Sequence, residues 1–415
     1  MAQAGSRLKK WAAMQPSAAT SATEVLASTL DELRARMAEL SSKTPSLEPV
    51  LRCKDGSAEL PFDATETKHG TLWRRLRQHG PAPRVGHFEA GVAVAPDASL
   101  LGLLSMDDAI ATADLSNALY IDTETTGLSR GAGTVAFLIG VAYWQGGRLV
   151  SELLFVPDYG QERPVLERLR ELAEQHSAYI SFNGKAFDMP LLRTRYVMAG
   201  LRPLPELPHL DLLPVARRVH RRANGTRRGV RLQELERDCL GLVREGDIPG
   251  SEVSAVYNHF VRTGDADGLR AVVDHNEQDV LSMVALVALY GEPLSESRLV
   301  PADLSGVARI MGKAGRGEEA MQLADRAVRA RSNADTLRAR AELAKARRLR
   351  DVALADFEKV HDEASDARVR LELAKLYEHH KKDIARALQV LADGVAEKPE
   401  AAARRAARLN KKSGL

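Results

Sequence analysis

The sequence predicts an α/β domain, built on a mixed five-stranded sheet with helices on both faces, followed by an all-α repeat array. Three observations predict it. Apolar and β-branched runs of strand length cluster between Ala118 and Phe182, helical periodicity takes over from Leu210 to Tyr290, and the last hundred-odd residues are Ala, Leu, Arg and Glu with few Gly or Pro. A chain of 415 residues has room for two or three domains of roughly 100–200 residues each.

Residues 1–22 read as a disordered leader. They contain no acid and carry Arg7, Lys9 and Lys10 among Ala and Ser, without the amphipathic Arg-rich helix of a transit peptide. Residues 23–114 read as an accessory region. It opens with an amphipathic helix, Thr23 to Leu40, and continues as an irregular stretch with a few strands, cut into short pieces by Pro45, Pro49, Pro61, Pro81 and Pro83. The α/β domain spans 115–291. Ala118 to Glu124 is an apolar run ending in acids, as a buried strand does where it opens into a site. Val135–Trp144 and Leu149–Pro157 read as two further strands joined by the tight turn Gln145-Gly146-Gly147-Arg148. A helix (Glu162–Gln175), a strand (Ala178–Phe182) and a helix (Phe187–Met198) follow, an order that suits a ribonuclease H-like fold. A long helix beginning near Gly268 closes the domain, and Pro293 and Pro301 stop helix formation after it. Across residues 302–412, Ala308, Ala341 and Ala374 recur thirty-three apart, and Ala320, Ala353 and Ala387 at thirty-three and thirty-four. Small residues at this period mark tetratricopeptide-like hairpins, whose default use is protein docking.

The net charge of +3 does not announce a nucleic-acid binder, but its distribution is uneven. Seven arginines and no acid fall between Arg217 and Arg231, and five basic residues and no acid follow Ala401. Such patches either track phosphate or form solvated faces. Cys53 and Cys239 stand far apart without neighbours at metal-ligand spacing, which supports neither a disulfide framework nor a zinc site. No apolar run approaches the ~18 residues of a membrane span, and the expected location is cytoplasmic.

Asp122 and Glu124 are two apart on a strand, so both side chains leave the same face at its C-terminal end. Paired carboxylates there can reach two divalent cations, Mg²⁺ or Mn²⁺, whose preference is for oxygen ligands. Thr125, Thr126 and Gly127 turn the chain away, and Gly131 and Gly133 keep the loop small. With no helix following, this is a strand connection in preference to a phosphate-binding loop. His275 and Asp279, four apart, share a helix face, which places an imidazole beside any water held at Asp279. Asp188 alone leaves capping and metal ligation open. Asn183 reads first as a turn residue, and Asp211 first as a helix N-cap.

Asp122-Thr-Glu-Thr-Thr-Gly127 resembles the first motif of the DnaQ-like (DEDD) exonucleases, Asn183-Gly-Lys-Ala-Phe-Asp188 the second, and His275-Asn-Glu-Gln-Asp279 the third. The resemblance implies metal ligation by Asp122, Glu124, Asp188 and Asp279. His275 takes the spacing of the subclass that uses Tyr, four before the final acid, while Asp274 occupies the five-back position usual for His. Residues from about His69 to Tyr290 resemble the bacterial YprB family, through Gly131-Ala-Gly-Thr-Val-Ala-Phe-Leu-Ile-Gly140, Phe182-Asn-Gly-Lys, His209-Leu-Asp-Leu-Leu213, Asp247-Ile-Pro-Gly250 and His275-Asn. This implies a role in DNA repair beside a helicase, engaged by the helical repeats.

The expected activity is therefore 3′–5′ exonucleolytic hydrolysis of DNA, in preference to RNA. Asp122, Glu124, Asp188 and Asp279 are its metal ligands, His275 its base, and Thr125, Thr126, Gly127, Leu128, Asn183 and Lys185 its substrate contacts. An endonuclease, an RNA nuclease and a catalytically silent binding scaffold are the alternatives.

Overall fold

The structure, a computed structural model, describes residues 60–80, 83–127, 133–220 and 229–413. All belong to the compact unit formed by residues 53–415. The leader, the helix expected at Thr23–Leu40, Leu128 and the arginines at 221, 222, 227 and 228 lie outside the described residues.

The sheet has seven strands: β1 (Asp63–Thr67), β2 (Gly70–Gln78), β5 (Ala118–Thr125), β6 (Ala136–Gln145), β7 (Arg148–Phe155), β8 (Ala178–Ser181) and β9 (His209–Asp211). The spatial order is β1-β2-β7-β6-β5-β8-β9, while the two-residue strands β3 (Arg84–Val85) and β4 (Phe88–Glu89) pair separately. The five strands β5 to β9 form the mixed sheet of the expected fold. Strands β5, β6 and β7 are antiparallel neighbours, and β5, β8 and β9 run parallel. The count of five is corrected by the segment before Asp114, whose hairpin β1–β2 adds to the β7 edge. Arg74 reaches Glu152 and Arg77 reaches Glu277, buried acids that lie 78 and 200 residues away.

Local chemistry explains the turns. Gly146 and Gly147 both have positive φ (57° and 75°), which a two-residue hairpin requires and only Gly adopts without cost. The β5–β6 connection is closed by Thr126, whose N–H donates to Val135 O (3.0 Å) and whose Oγ1 accepts from Val135 N (3.1 Å).

The two faces of the sheet bury different partners, as the period of two dictates. Leu119 and Ile121 face helices α2 (Arg163–Glu174), α3 (Asp188–Met198) and α5 (Gly250–Thr263). Ala118 and Tyr120 face the opposite core, with α1 (Ala98–Ser105), α4 (Leu212–Val219) and the 22-residue α6 (Leu269–Tyr290). Asp122 and Glu124 continue the second parity, so they point toward α6. Room for that helix comes from Gly140, opposite Asp122 in register: a Cβ there would lie 2.2 Å from Asn276 Oδ1. Gly140→Ala should therefore cost about 1–3 kcal/mol, read as a lower urea midpoint, and weaken divalent-cation binding as Asn276 shifts off Asp122.

Beyond Pro301 come α7 (Pro301–Lys313), α8 (Gly317–Ala330), α9 (Ala334–Ala346), α10 (Arg350–Glu363), α11 (Ala367–Leu376), α12 (Ile384–Ala392) and α13 (Pro399–Ser413). The core on the α6 side of the sheet continues into them as far as Leu409. At the junction, His220 lies 2.8 Å from Tyr290 Oη and 3.1 Å from Asp303, and Cys239 joins His220 and Asp303 in one group within 4.8 Å, which chain spacing did not reveal. The basic C-terminal stretch is largely spent internally, because Arg405, Arg408 and Lys412 converge on the buried Glu378.

Candidate active site

Each acid is placed by an element whose local sequence explains it. Asp122 and Glu124 end the apolar part of β5, where a register shift between Glu124 and Thr125 breaks the pairing with β6. Asp188 is the first residue of α3, and its side chain does not cap: it accepts from Thr123 Oγ1, between the two β5 acids in sequence. His275 and Asp279 lie one turn apart on α6. The imidazole Nε2 is 3.7 Å from Asp279 Oδ2 and 3.8 Å from Glu124 Oε1, and these three residues group within 4.8 Å. Asp274, in contrast, is mostly exposed and pairs with Arg75 (3.1 Å), so the histidine at the four-back position is the one that faces the site.

Asp279 stands beside Glu124 and His275, and Asp122, Glu124 and Asp188 form the floor of a cleft of about 550 Å³, walled by Phe187, Pro190, Leu191 and Thr194 of the α3 side and Gly250, Ser251, Val253 and Ser254 of α5. They open on the cleft but are packed by protein on most sides, and that burial is the first cause of their raised pKa values. Asp122 lies well above the usual carboxylate range through burial and then the charges of Asp279, Asp188 and Glu124, against a hydrogen bond from Asn276 Nδ2 (2.8 Å). Glu124 is pushed up to about 8 by burial and then by Asp279 and Asp188. Asp188 and Asp279 are also raised by burial, opposed in the first by Thr123 and in the second by Arg244 and His275. Concentrated carboxylates held this way favour a cation, and an all-oxygen set with one nearby imidazole suits Mg²⁺ or Mn²⁺.

Several residues in this site carried no assigned role in the sequence. Asp247 Oδ1 is 2.7 Å from His275 Nδ1, which assigns the proton to Nδ1 and leaves the Nε2 lone pair toward the acids. Arg244 bridges Glu236 and Asp279. Asn276 holds Asp122, and the sequence marked it only as part of the pair His275-Asn, without a role. Among the expected substrate contacts, Thr125 and Gly127 line the cleft, with Thr125 Oγ1 donating to Gly127 O (3.0 Å). Asn183 sits at φ 71°, and its N–H donates to Asp211 Oδ1 (2.7 Å); Lys185 donates its backbone N–H to Asp211 (3.3 Å) and its Nζ to Asp107 (3.2 Å). Asp211 also accepts from Leu213 N and so caps α4.

Comparison with known proteins agrees with this architecture. The sequence profile described as the RNase_H superfamily matches residues 119–290, from β5 to the end of α6. Uncharacterized protein YprB of Bacillus subtilis (strain 168) is 33% identical over 289 residues, which cover 66% of this chain and 68% of that protein. The chain belongs to the YprB family. Its α/β domain is of the ribonuclease H-like nuclease superfamily. A solved structure of the family B DNA polymerase from the hyperthermophilic archaeon Pyrobaculum calidifontis is similar over 55% of this chain at 15% identity and a TM-score of 0.32. The likeness spans 29% of the polymerase chain. Among the described residues of this YprB-family chain, no helix is long and apolar enough to cross a membrane.

Proposed function

We propose that the protein is a metal-dependent 3′–5′ exonuclease that hydrolyses DNA phosphodiester bonds in DNA repair. The observation that carries this reading is the gathering of Asp122, Glu124 and Asp188 on one cleft floor, with Asp279 and His275 Nε2 grouped beside Glu124. These four carboxylates would hold two divalent cations, which when bound supply an activated water and stabilise the departing 3′ oxygen. His275 Nε2 accepts the proton of the attacking water, and Asp247 keeps Nδ1 protonated and the ring aimed. Thr125 and Gly127 border the entering strand.

His275→Ala should lower the single-turnover rate by about 10²–10³-fold, and Asp247→Asn by roughly tenfold or more. An unchanged rate in His275→Ala would move the base to another group. End-labelled single-stranded DNA, a closed circular strand and a matched RNA, each with Mg²⁺ or Mn²⁺, test the whole reading. Loss of linear DNA from its 3′ end with the circle intact supports it. A cut circle indicates an endonuclease, degradation of RNA alone an RNA nuclease, and binding without cleavage a silent scaffold.

We read α7 to α13 as tetratricopeptide-like pairs that dock a protein, a DNA helicase being the partner that family resemblance suggests. Supporting this, Ala308, Ala341, Ala374, Ala320, Ala353 and Ala387 are all fully buried, as small residues at a helix-pair contact are.

A further inference from the structure

Arg244 stands in the wall between the catalytic acids and a second cavity of about 540 Å³, which Asp247 and His275 also line. Its guanidinium is held by one edge. Nε donates to Glu236 Oε2 (2.7 Å) and Nη2 to Glu236 Oε1, a bidentate grip by a carboxylate that is 1% exposed. Nη2 also donates to Asp279 Oδ1. Nη1 is poorly used: Asp247 Oδ2 lies 3.5 Å away, beyond ordinary hydrogen-bond range, and His275 Nδ1, at 3.4 Å, already gives its proton to Asp247. The side chain thus combines a fixed anchor, one contact to a metal-ligating acid, and donors to spare beside the cleft floor.

We propose that Arg244 contacts the substrate directly, as a tethered cation that binds a non-bridging phosphate oxygen through Nη1 and Nη2. Glu236 keeps its hold on the Nε edge throughout, while Nη2 exchanges Asp279 for phosphate when the Asp279 carboxylate turns to a divalent cation. The planar fork suits this, because two of its donors stay on Glu236 and the remaining ones face one anion. The assignment rests on the phosphodiesterase reading given above.

The test compares the wild type, Arg244→Lys and the double variant Glu236→Gln/Arg244→Gln, which also removes the buried Glu236 charge that Arg244 neutralises. Binding of a phosphorothioate single strand in Ca²⁺ is followed by anisotropy across a salt series, and Mn²⁺ binding without nucleic acid by calorimetry. In the double variant we expect strand affinity to fall roughly ten- to a hundredfold. The slope of log K against log salt should flatten by about 0.7, the value for one lost phosphate contact on a single strand. Arg244→Lys should restore the slope. Mn²⁺ should bind the double variant several-fold more tightly, its competitor at Asp279 being gone. An unchanged slope with wild-type Mn²⁺ affinity, in a protein that binds and cleaves DNA, overturns the role of Arg244 alone. A wild type that neither binds nor cleaves any strand overturns the nuclease reading and this assignment with it.

Discussion

Replacing Asp122 and Glu124 together by Ala should abolish Mg²⁺- or Mn²⁺-dependent degradation of DNA, a fall of about 10³-fold or more, while the protein stays folded. The magnitude follows from the several kcal/mol that metal-held charge contributes to such a reaction, at about 1.4 kcal/mol per tenfold. Stability should move the other way. Both side chains are held among like charges on a buried floor, which raises their pKa values and destabilises the ionised protein, so removing them relieves repulsion. A thermal midpoint above that of the wild type in cation-free buffer, with cleavage lost, is the expected pair of results. Retained cleavage would end the assignment of these acids. A lowered midpoint would show that they brace β5.

The second large effect is a pH dependence. Glu124 ionises at about 8 in the folded protein against an ordinary value of 4.5. The folded state therefore binds the extra proton between those limits. The associated stability is fully present below about pH 4.5 and is lost as pH rises toward 8, because the unfolded chain has already given up its proton. Cation binding needs the ionised carboxylate and so releases that proton. Apparent Mn²⁺ affinity should rise at least tenfold per pH unit from 6 to 8, since Asp122 is raised as well as Glu124 and each must give up its proton, and the wild-type midpoint should fall over the same range unless Mn²⁺ is present. Calorimetry in buffers of different ionisation enthalpy would count the protons. A flat affinity across this range would mean that Glu124 is ionised without a cation.

The gathering of acids in the candidate site was legible because its logic is local. An apolar run ending in Asp122 and Glu124 can only be a strand opening on a site, and His275 and Asp279 share a face by helical arithmetic alone. The alanine period exposed the helical array for the same reason. What stayed hidden depends on contacts across long separations. The strand Asp63–Thr67 is polar and lies at an edge, so no apolar alternation betrays it. Arg244, Asp247 and Glu236 sit near irregular backbone with no periodicity, and their value lies in partners 8 to 35 residues away. The basic run after Ala401 misleads in the opposite sense: part of its charge is turned inward to the buried Glu378.

The α6 helix is a rod about 33 Å long, at 1.5 Å per residue over its 22 residues, with His275 and Asp279 in its first half and Tyr290 at its far end. There it meets His220 and, through it, Asp303 of α7; nearby, α7 approaches α4 so closely that a Cβ on Gly306 would strike the Val219 carbonyl at 2.1 Å. The helical array is thereby joined through a shared core to the helix that carries His275 and Asp279, and is no pendant on a flexible tether. Cutting the chain after Val300 would strip one wall from a shared core and melt the remainder, so the docking role is better probed by charge reversals on the array. Calorimetric unfolding should show one transition for both parts. Under the proposed docking role, amide exchange in α6 should slow when a partner binds the array, because the shared core joins that surface to the helix bearing His275 and Asp279.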